Sequence, residues 1–403
     1  MASTALGYEM FDADQHYYET EDAFTRHLPD EFARRLYWTT SDRGHRKLII
    51  DGQVYEYIAN PTFDPISVPG SLVEMYRNEK SREELAADPL AGERVVAPLS
   101  RYPEFQDRDQ RAAKAEEHGL AGCLLFPTLV NGVEELTKHD HDLTYAVFDG
   151  FNRWISEEWP FGYRGLLWSA PIVTFADPAR AVTQVDAAAS NGARAVIVRA
   201  APVLTRDGYR SPGDTGFDPV WQRICDHDLA VITHSADSGY RPFTDLWRAD
   251  VDRQSKMAAG VSTFEMINGA EYGRGISDWV GALIVHGVFT RFPRLRVLSV
   301  ENGSNWVAWL QKELQVKFWH FPGRFNADPV QQFRTNIWLS PYWEEDIPAL
   351  TEYMPVERIC AGSDWPHPEG LPEPTEFIDG VKTFTPDEQR RIMRDNATEL
   401  LGL

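Results

Sequence analysis

Eight short apolar runs recur along the chain, most of them separated by a segment with amphipathic-helix periodicity, and this alternation restricts the fold more than any other feature. The runs are Glu9–Asp14, Ala121–Phe126, Gly165–Val173, Ala193–Arg199, Ala230–His234, Arg296–Glu301, Asn336–Ser340 and Ile359–Ser363. Helical patterns occupy Gln110–His118, Leu143–Glu158, Pro178–Asn191, Pro219–Asp228, Ile276–Arg291, Asn305–Lys317, Asp346–Met354 and Pro386–Leu401. Such alternation marks parallel βα units. Asp177-Pro178 and Asp218-Pro219 each place a capping residue before proline at the first helical position. The spacing predicts an α/β fold, a (β/α)8 TIM barrel.

A barrel of this kind needs about 250 residues, so a chain of 403 residues carries a large surplus. The reading is one domain, 1–403, with an insertion at about 40–105 after the first strand. Within it, Lys47–Ile50, the turn Asp51-Gly52 and Val54–Ile58 predict a hairpin. The proline-rich stretch Asn60–Gly70 that follows fits neither helix nor strand. Leaving from the end of the first strand, Lys47–Gly70 is placed to cover the barrel mouth, or else to serve as a peripheral ornament or dimer contact. The long connection Ser235–Gly275, with Tyr240-Arg241-Pro242-Phe243, borders the same end.

Several runs end in polar side chains. Residues two apart on a strand leave it on the same side, so Asp14 and His16 point together, as two ligands of one cation must. The run Leu229–His234 ends in His234, and Arg358–Ser363 leads into Asp364, then Trp365-Pro366-His367. Each alone has a plain alternative: a hydrogen bond at a turn, a structural histidine, an Asp cap. Together they fit a parallel barrel, whose active site is assembled at the C-terminal ends of its strands.

Composition removes other classes. A formal charge of −21 argues against a nucleic-acid partner, which requires a basic surface. No apolar run is long enough to span a bilayer, and the first residues show no signal-like core, which points to a cytoplasmic protein. Cys123, Cys225 and Cys360 lie in or beside apolar runs and read as buried thiols. Neither a dinucleotide-binding glycine fingerprint nor a Walker-type loop is present.

Asp14-x-His16, His234, Gly287-Val288-Phe289-Thr290-Arg291-Phe292-Pro293, Glu301-Asn302-Gly303-Ser304, Gly362-Ser363-Asp364-Trp365-Pro366-His367 and Asp395-Asn396-Ala397 together carry a resemblance. The chain resembles the amidohydrolase superfamily, in the branch of aminocarboxymuconate semialdehyde decarboxylase and related aromatic-acid decarboxylases, and more narrowly actinobacterial TIM-barrel metal-dependent hydrolases. The resemblance implies one divalent metal held by Asp14, His16, His234 and Asp364. A carboxylate at Asp14, where the familiar version reads His-x-His, makes the site harder, so the ion is zinc or manganese, with iron a third option. At the end of the sixth strand, where many relatives carry histidine, this chain has Glu301. Pointing inward, Glu301 is a general base, a ligand or a substrate anchor; pointing outward, it caps the helix near Ser304 or pairs with an arginine. His367, three residues after Asp364, is a candidate to orient that ligand.

Other residues receive quieter readings. His286 is expected to face the barrel interior from its helix, for packing rather than catalysis, and His139 and His141 to lie on a solvated helix start rather than in a metal motif. Trp338, Tyr342, Trp343 and Trp365 suggest an aromatic-walled pocket, or simply core. The resemblance implies a metal-dependent hydrolase in which Asp364 takes a proton from water and the attacked molecule is a small aromatic or cyclic carbonyl or carboxylate compound. The alternative it implies is non-oxidative decarboxylation of an aromatic or unsaturated acid, with Asp364 as proton donor. A metal scaffold without catalysis is the third reading, disfavoured by an open ligand set. The expected partners are a small-molecule substrate and, since relatives are commonly dimers, a second copy of the chain.

Overall fold

Residues 6–42, 44–73, 77, 84, 96–247, 249 and 273–403 are described by the structure, a computed structural model. The first apolar run forms β1 (Met10–Tyr17). The segment after it holds β2 (Leu36–Thr40), β3 (Arg46–Ile50), β4 (Gln53–Val54), β5 (Ile66–Ser67) and β6 (Val96–Ala97), all paired antiparallel. Beyond them come β7 (Leu120–Pro127), β8 (Leu167–Ser169), β9 (Ala195–Ile197), the small hairpin β10 (Val203–Thr205) and β11 (Gly208–Arg210), β12 (Ala230–His234), β13 (Val297–Val300) and β14 (Ile337–Ser340).

Two parallel sheets result, β1-β7-β8 and β9-β12-β13-β14. They are joined on one side by a parallel bridge between Ile172 and Ile197, supported by Val173 N–H to Ile197 O at 2.9 Å. On the other side Cys360 N–H reaches Leu339 O at 2.9 Å, and Ala13 N–H and His16 N–H reach Ala361 O and Trp365 O, each at 2.8 Å. Parallel hydrogen bonding therefore leaves β1 through β7 and returns to it through residues 359–365. Strands buried on both faces carry continuous β-branched and leucine runs. Val231, Ile232, Val297, Leu298, Ile337 and Leu339 are all fully buried, each contributing roughly 1.5–3 kcal/mol by leaving water.

Several expectations need correction. Ile359–Ser363 is an extended segment with one bridge at Ile359 and the next beyond it at Trp365, not a ladder-forming strand, and Asp364 turns at φ 57° between the two. Strand geometry in Gly165–Val173 and Ala193–Arg199 is confined to three residues each, since Pro171 lacks a donor. The helix expected over Ile276–Arg291 divides into Gly275–Val285 and Val288–Arg291, with Gly287 in the left-handed region at φ 72°. Asp346–Met354 forms only the turn Ile347–Leu350, and Pro386–Leu401 contains a π-helical stretch at Arg391–Asp395. Asp177 caps its helix as anticipated, accepting from Ala179 and Arg180 N–H. Asp218 instead lies inside its helix, its carboxylate held by Arg291 at 2.9 Å.

In the insertion, Asp51 and Gly52 both adopt positive φ (49° and 77°), the geometry of a tight hairpin turn between β3 and β4. The hairpin is shorter than expected at Val54–Ile58 and gains a strand on its other edge, β2, which shows little alternation in sequence. Residues 74–76 and 85–95 of the insertion, and 250–272 of the long connection after β12, lie outside the described residues. Among the described residues no helix is long and apolar enough to cross a membrane.

Candidate metal centre

The ends of β1, β12 and β13 and the segment after Ser363 deliver Asp14, His16, His234, Glu301 and Asp364 to one point. Asp14 and His16 do converge, though not along a regular strand. Asp12 pairs with Cys123 and Gln15 with Leu125, so Ala13 and Asp14 form a bulge that re-aims the Asp14 carboxylate. Glu301 and Asp364 take φ values of 54° and 57°, a left-handed conformation that costs a non-glycine residue about 1–3 kcal/mol and clusters at functional sites. Close backbone approach is secured by Gly362, where a Cβ would lie 2.7 Å from Asp14 Cβ.

The donor atoms are packed together. His16 Nε2 and His234 Nε2 are 3.1 Å apart. Glu301 Oε2 lies 2.9 Å from His234 Nε2 and 3.6 Å from His16 Nε2. Asp14 Oδ1 is 3.7 Å from both rings, and Asp364 Oδ1 3.6 Å from His16. His367 Nδ1 bonds Asp364 Oδ1 at 2.7 Å, and its ring lies 4.0 Å from that of His16.

Tautomers follow from the outer contacts. Thr128 Oγ1, 3.2 Å from both Tyr17 O and His16 Nδ1, has one proton, which goes to the carbonyl; it therefore accepts Nδ1–H from His16. His234 Nδ1 faces Ser235 O at 2.9 Å and must donate to it. Both rings thus turn their Nε2 toward the carboxylates, the arrangement that metal-ligating histidines adopt. Asp14 Oδ1 is buried with no hydrogen-bond partner. Two imidazole acceptors and an orphaned carboxylate oxygen around one volume fit a divalent cation, and the mixture of nitrogen and hard oxygen donors suits zinc, manganese or iron.

Electrostatics point the same way. Burial raises the Asp14 and Asp364 carboxyls, and burial with His367 alongside lowers His16. For His234 burial pulls downward, but Glu301 and Asp14 outweigh it and lift the imidazole to about 10. Burial would raise Glu301; His234 and His16 overcome this and hold it below the usual carboxylate range. Without a cation, then, a proton on His234 balances Glu301.

Each residue singled out in the sequence now has a position. Asp14, His16, His234, Glu301, Asp364 and His367 come together, and Glu301 points inward, while Glu345 takes the capping role by accepting Ser304 N–H at 2.8 Å. His286 is exposed and bonds Ser211 Oγ at 2.8 Å, so it does not face the interior. His139 is exposed, and His141 reaches Leu204 O at 3.0 Å. The aromatic wall is not made of Trp338, Tyr342, Trp343 and Trp365. Trp338 carries Arg358 and Trp365 carries Arg111, at 4.0 and 4.4 Å, while Tyr342 bonds Glu301 O and Trp343 bonds Glu369 O. A cavity of about 390 Å³ opens above His16, Glu301 and His367, walled by Tyr18, Tyr57 and Phe63, the last two from the insertion. Phe63 stacks on Tyr18 with centroids 4.2 Å apart. Asp12, Arg111 and Thr128, close to the ligand-bearing strand ends, escaped the sequence reading.

A parallel α/β scaffold with a histidine–carboxylate cluster at its strand ends defines the class of metal-dependent hydrolases and carboxy-lyases. Residues 96–403 match the amidohydrolase family model, and the chain belongs to that family. A crystal structure of an amidohydrolase from Mycobacterium avium subsp. paratuberculosis is 40% identical over 99% of this chain and 100% of its own, with a TM-score of 0.90. The 5-carboxyvanillate decarboxylase of Novosphingobium aromaticivorans, solved with manganese and a nitrobenzoic acid, shares the fold at 15% identity and TM-score 0.57, over 99% of this chain and 97% of that one. A 2-amino-3-carboxymuconate-6-semialdehyde decarboxylase of Dictyostelium discoideum is 25% identical over 134 residues, 30% of this chain and 35% of that protein. The match to this curated relative thus spans about a third of its length.

Proposed function

We propose that this protein is a metal-dependent hydrolase of a small aromatic or cyclic carbonyl compound, working at the mouth of a closed (β/α)8 barrel. The circuit of parallel hydrogen bonds from β1 back to β1 supports the barrel, and the chain is read as a single domain, 1–403, with an insertion at about 40–105. One observation carries the choice of hydrolysis: a carboxylate, Glu301, lies inside the donor cluster, 2.9 Å from His234 Nε2, and lines the cavity. A carboxylate that lines the cavity beside the metal donors is placed to take a proton from water, as hydrolysis requires.

Asp14, His16, His234 and Asp364 would hold the ion, which when bound supplies Lewis acidity at the cavity floor. Glu301 Oε2 takes a proton from water entering the cavity as its oxygen adds to the carbonyl carbon. His367, oriented by Asp364, gives a proton to the leaving atom as its bond to that carbon breaks. Tyr18, Tyr57 and Phe63 hold the ring and exclude bulk water. The test is a panel of lactones, cyclic amides and hydroxybenzoates offered to manganese-loaded protein, scored separately for acid release and for carbon dioxide. Carbon dioxide without any hydrolysis product would overturn the reading.

Decarboxylation is the second reading, favoured by Arg241. It is the one lysine or arginine among the described residues lining the cavity, and its positive charge favours a carboxylate there. Arg241→Gln should raise KM for a carboxylate substrate roughly tenfold or more while metal content stays constant; steady-state kinetics with elemental analysis checks this. For the covering segment, shortening the hairpin within Lys47–Gly70 should alter KM more than the thermal midpoint, since lids act by sequestration. An unchanged KM with a lowered midpoint would make the segment an ornament. The homodimer and the cytoplasmic location stay part of this proposal, to be examined by sedimentation and fractionation.

A further inference from the structure

We infer that Asp12, which touches no part of the cavity, is a positioning residue that fixes Asp14 against Asp364 and so sets the affinity for the cation. The inference rests on the reading of the cluster as a metal centre. Asp12 is completely buried in β1 and accepts four hydrogen bonds, two on each oxygen. Oδ1 receives Ser363 N–H at 2.9 Å and Asp14 N–H at 3.2 Å. Oδ2 receives Ser363 Oγ–H at 2.6 Å and Gln15 Nε2–H at 2.8 Å. Every donor is a ligand's own amide or a residue next to one.

The β1 bulge explains why a carboxylate is needed. With Asp12 paired to Cys123 and Gln15 to Leu125, Asp14 has no partner across the β7 ladder, and its amide turns to Asp12. On the opposite edge, residues 359–365 bond β1 at a few points, while Asp364 is held at φ 57°. To the one direct bond between the two ligands, Asp364 N–H to Asp14 O at 2.9 Å, Asp12 adds a side-chain crosslink from the Asp14 amide to Ser363. Its orientation is fixed from behind: Gln15 Oε1 accepts Arg111 Nη1–H at 3.1 Å, which directs the Gln15 amide nitrogen to Asp12. Arg111, also fully buried, bonds the His16 carbonyl, donates to Glu104 O at 2.9 Å and lies 4.4 Å over Trp365, the neighbour of Asp364. A chain Arg111–Gln15–Asp12–Ser363 therefore runs behind the cluster, contacting the neighbours of Asp14, His16 and Asp364. Buried ionised groups are costly unless fully hydrogen-bonded, and outer partners of this kind orient ligands.

Asp12→Asn removes the charge and turns at least one of the four acceptor contacts into a donor–donor encounter, whereas Ser363→Ala removes only the hydroxyl bond and keeps the charge. Manganese titration of the metal-free full chain, followed by electron paramagnetic resonance, should show affinity reduced about 10–100-fold in Asp12→Asn and by less in Ser363→Ala. Leu298→Ala, in the core of β13, is the structural control; it should lower the metal-free thermal midpoint and leave manganese affinity unchanged. The inference is overturned if both network variants bind manganese as the natural chain does, or if Leu298→Ala loses affinity in the same proportion to its loss of stability. Absence of manganese binding by the natural chain would overturn it too, and would identify the metal-centre reading as the fault. Should Asp12→Asn fail to fold, Ser363→Ala against Leu298→Ala decides.

Discussion

Replacing His234 by alanine should empty the metal centre and remove turnover with it. The His234 ring is fixed from behind by the Ser235 carbonyl, and its Nε2 lies within 3.7 Å of His16, Glu301 and Asp14 donor atoms. Without it, three carboxylates face one another with His16 as the one histidine left in the proposed ligand set. Elemental analysis after dialysis should fall from about one divalent ion per chain to a small fraction, and His16→Ala should do the same. Full occupancy in both variants would remove these histidines from the ligand set. A pH signature accompanies the metal. Because the carboxylates raise His234 to about 10 in the empty site, the cation must displace a proton to bind. Apparent affinity should therefore rise about tenfold per pH unit through the neutral range.

The strand ends were legible because burial on both faces writes continuous apolar runs, and a polar residue terminating such a run is conspicuous. His234 closes Ala230–His234 in sequence and in the fold alike. Elements outside the parallel sheet were read less well. Tyr57 and Phe63 belong to a segment with no regular period, so nothing local indicated that they, and not Trp338 or Trp343, would wall the cavity. Trp338 alternates onto the outer face of β14, where an arginine covers it. Arg111 lies on Arg108–Glu117, a helix rich in charge that reads as a solvated face; the small residues Ala112 and Ala115 beside it were the signal that this face turns inward. Asp12 offered a plainer clue: a carboxylate inside an apolar strand must find donors. The bulge at Asp14 has no sequence signature; it is a register shift against β7 at residues that also bond the distant segment 359–365.

Asp364 and Glu301 are expected to divide the chemistry, and conservative amides should separate their roles. Asp364 lies 3.6 Å from His16 Nε2 and bonds His367 at 2.7 Å, so it serves the ion and a proton donor together. In Asp364→Asn the amide oxygen still ligates, weakly, but the bond that orients His367 is altered and the negative charge is gone. Nearly all turnover should disappear while part of the metal is retained. Glu301→Gln should behave differently. The substitution preserves size and leaves Asp14, His16, His234 and Asp364 in place, so metal content should stay close to one per chain. Turnover should nevertheless fall roughly a hundredfold or more, the scale of a lost general base, with KM little changed because the group acts on water and not on the ring. Metal content and single-turnover rates measured on the same preparations distinguish the outcomes. If Glu301→Gln loses metal in step with activity, Glu301 is a fifth ligand; if it keeps activity and loses only stability, its place beside His234 is structural and the base must be sought at Asp364.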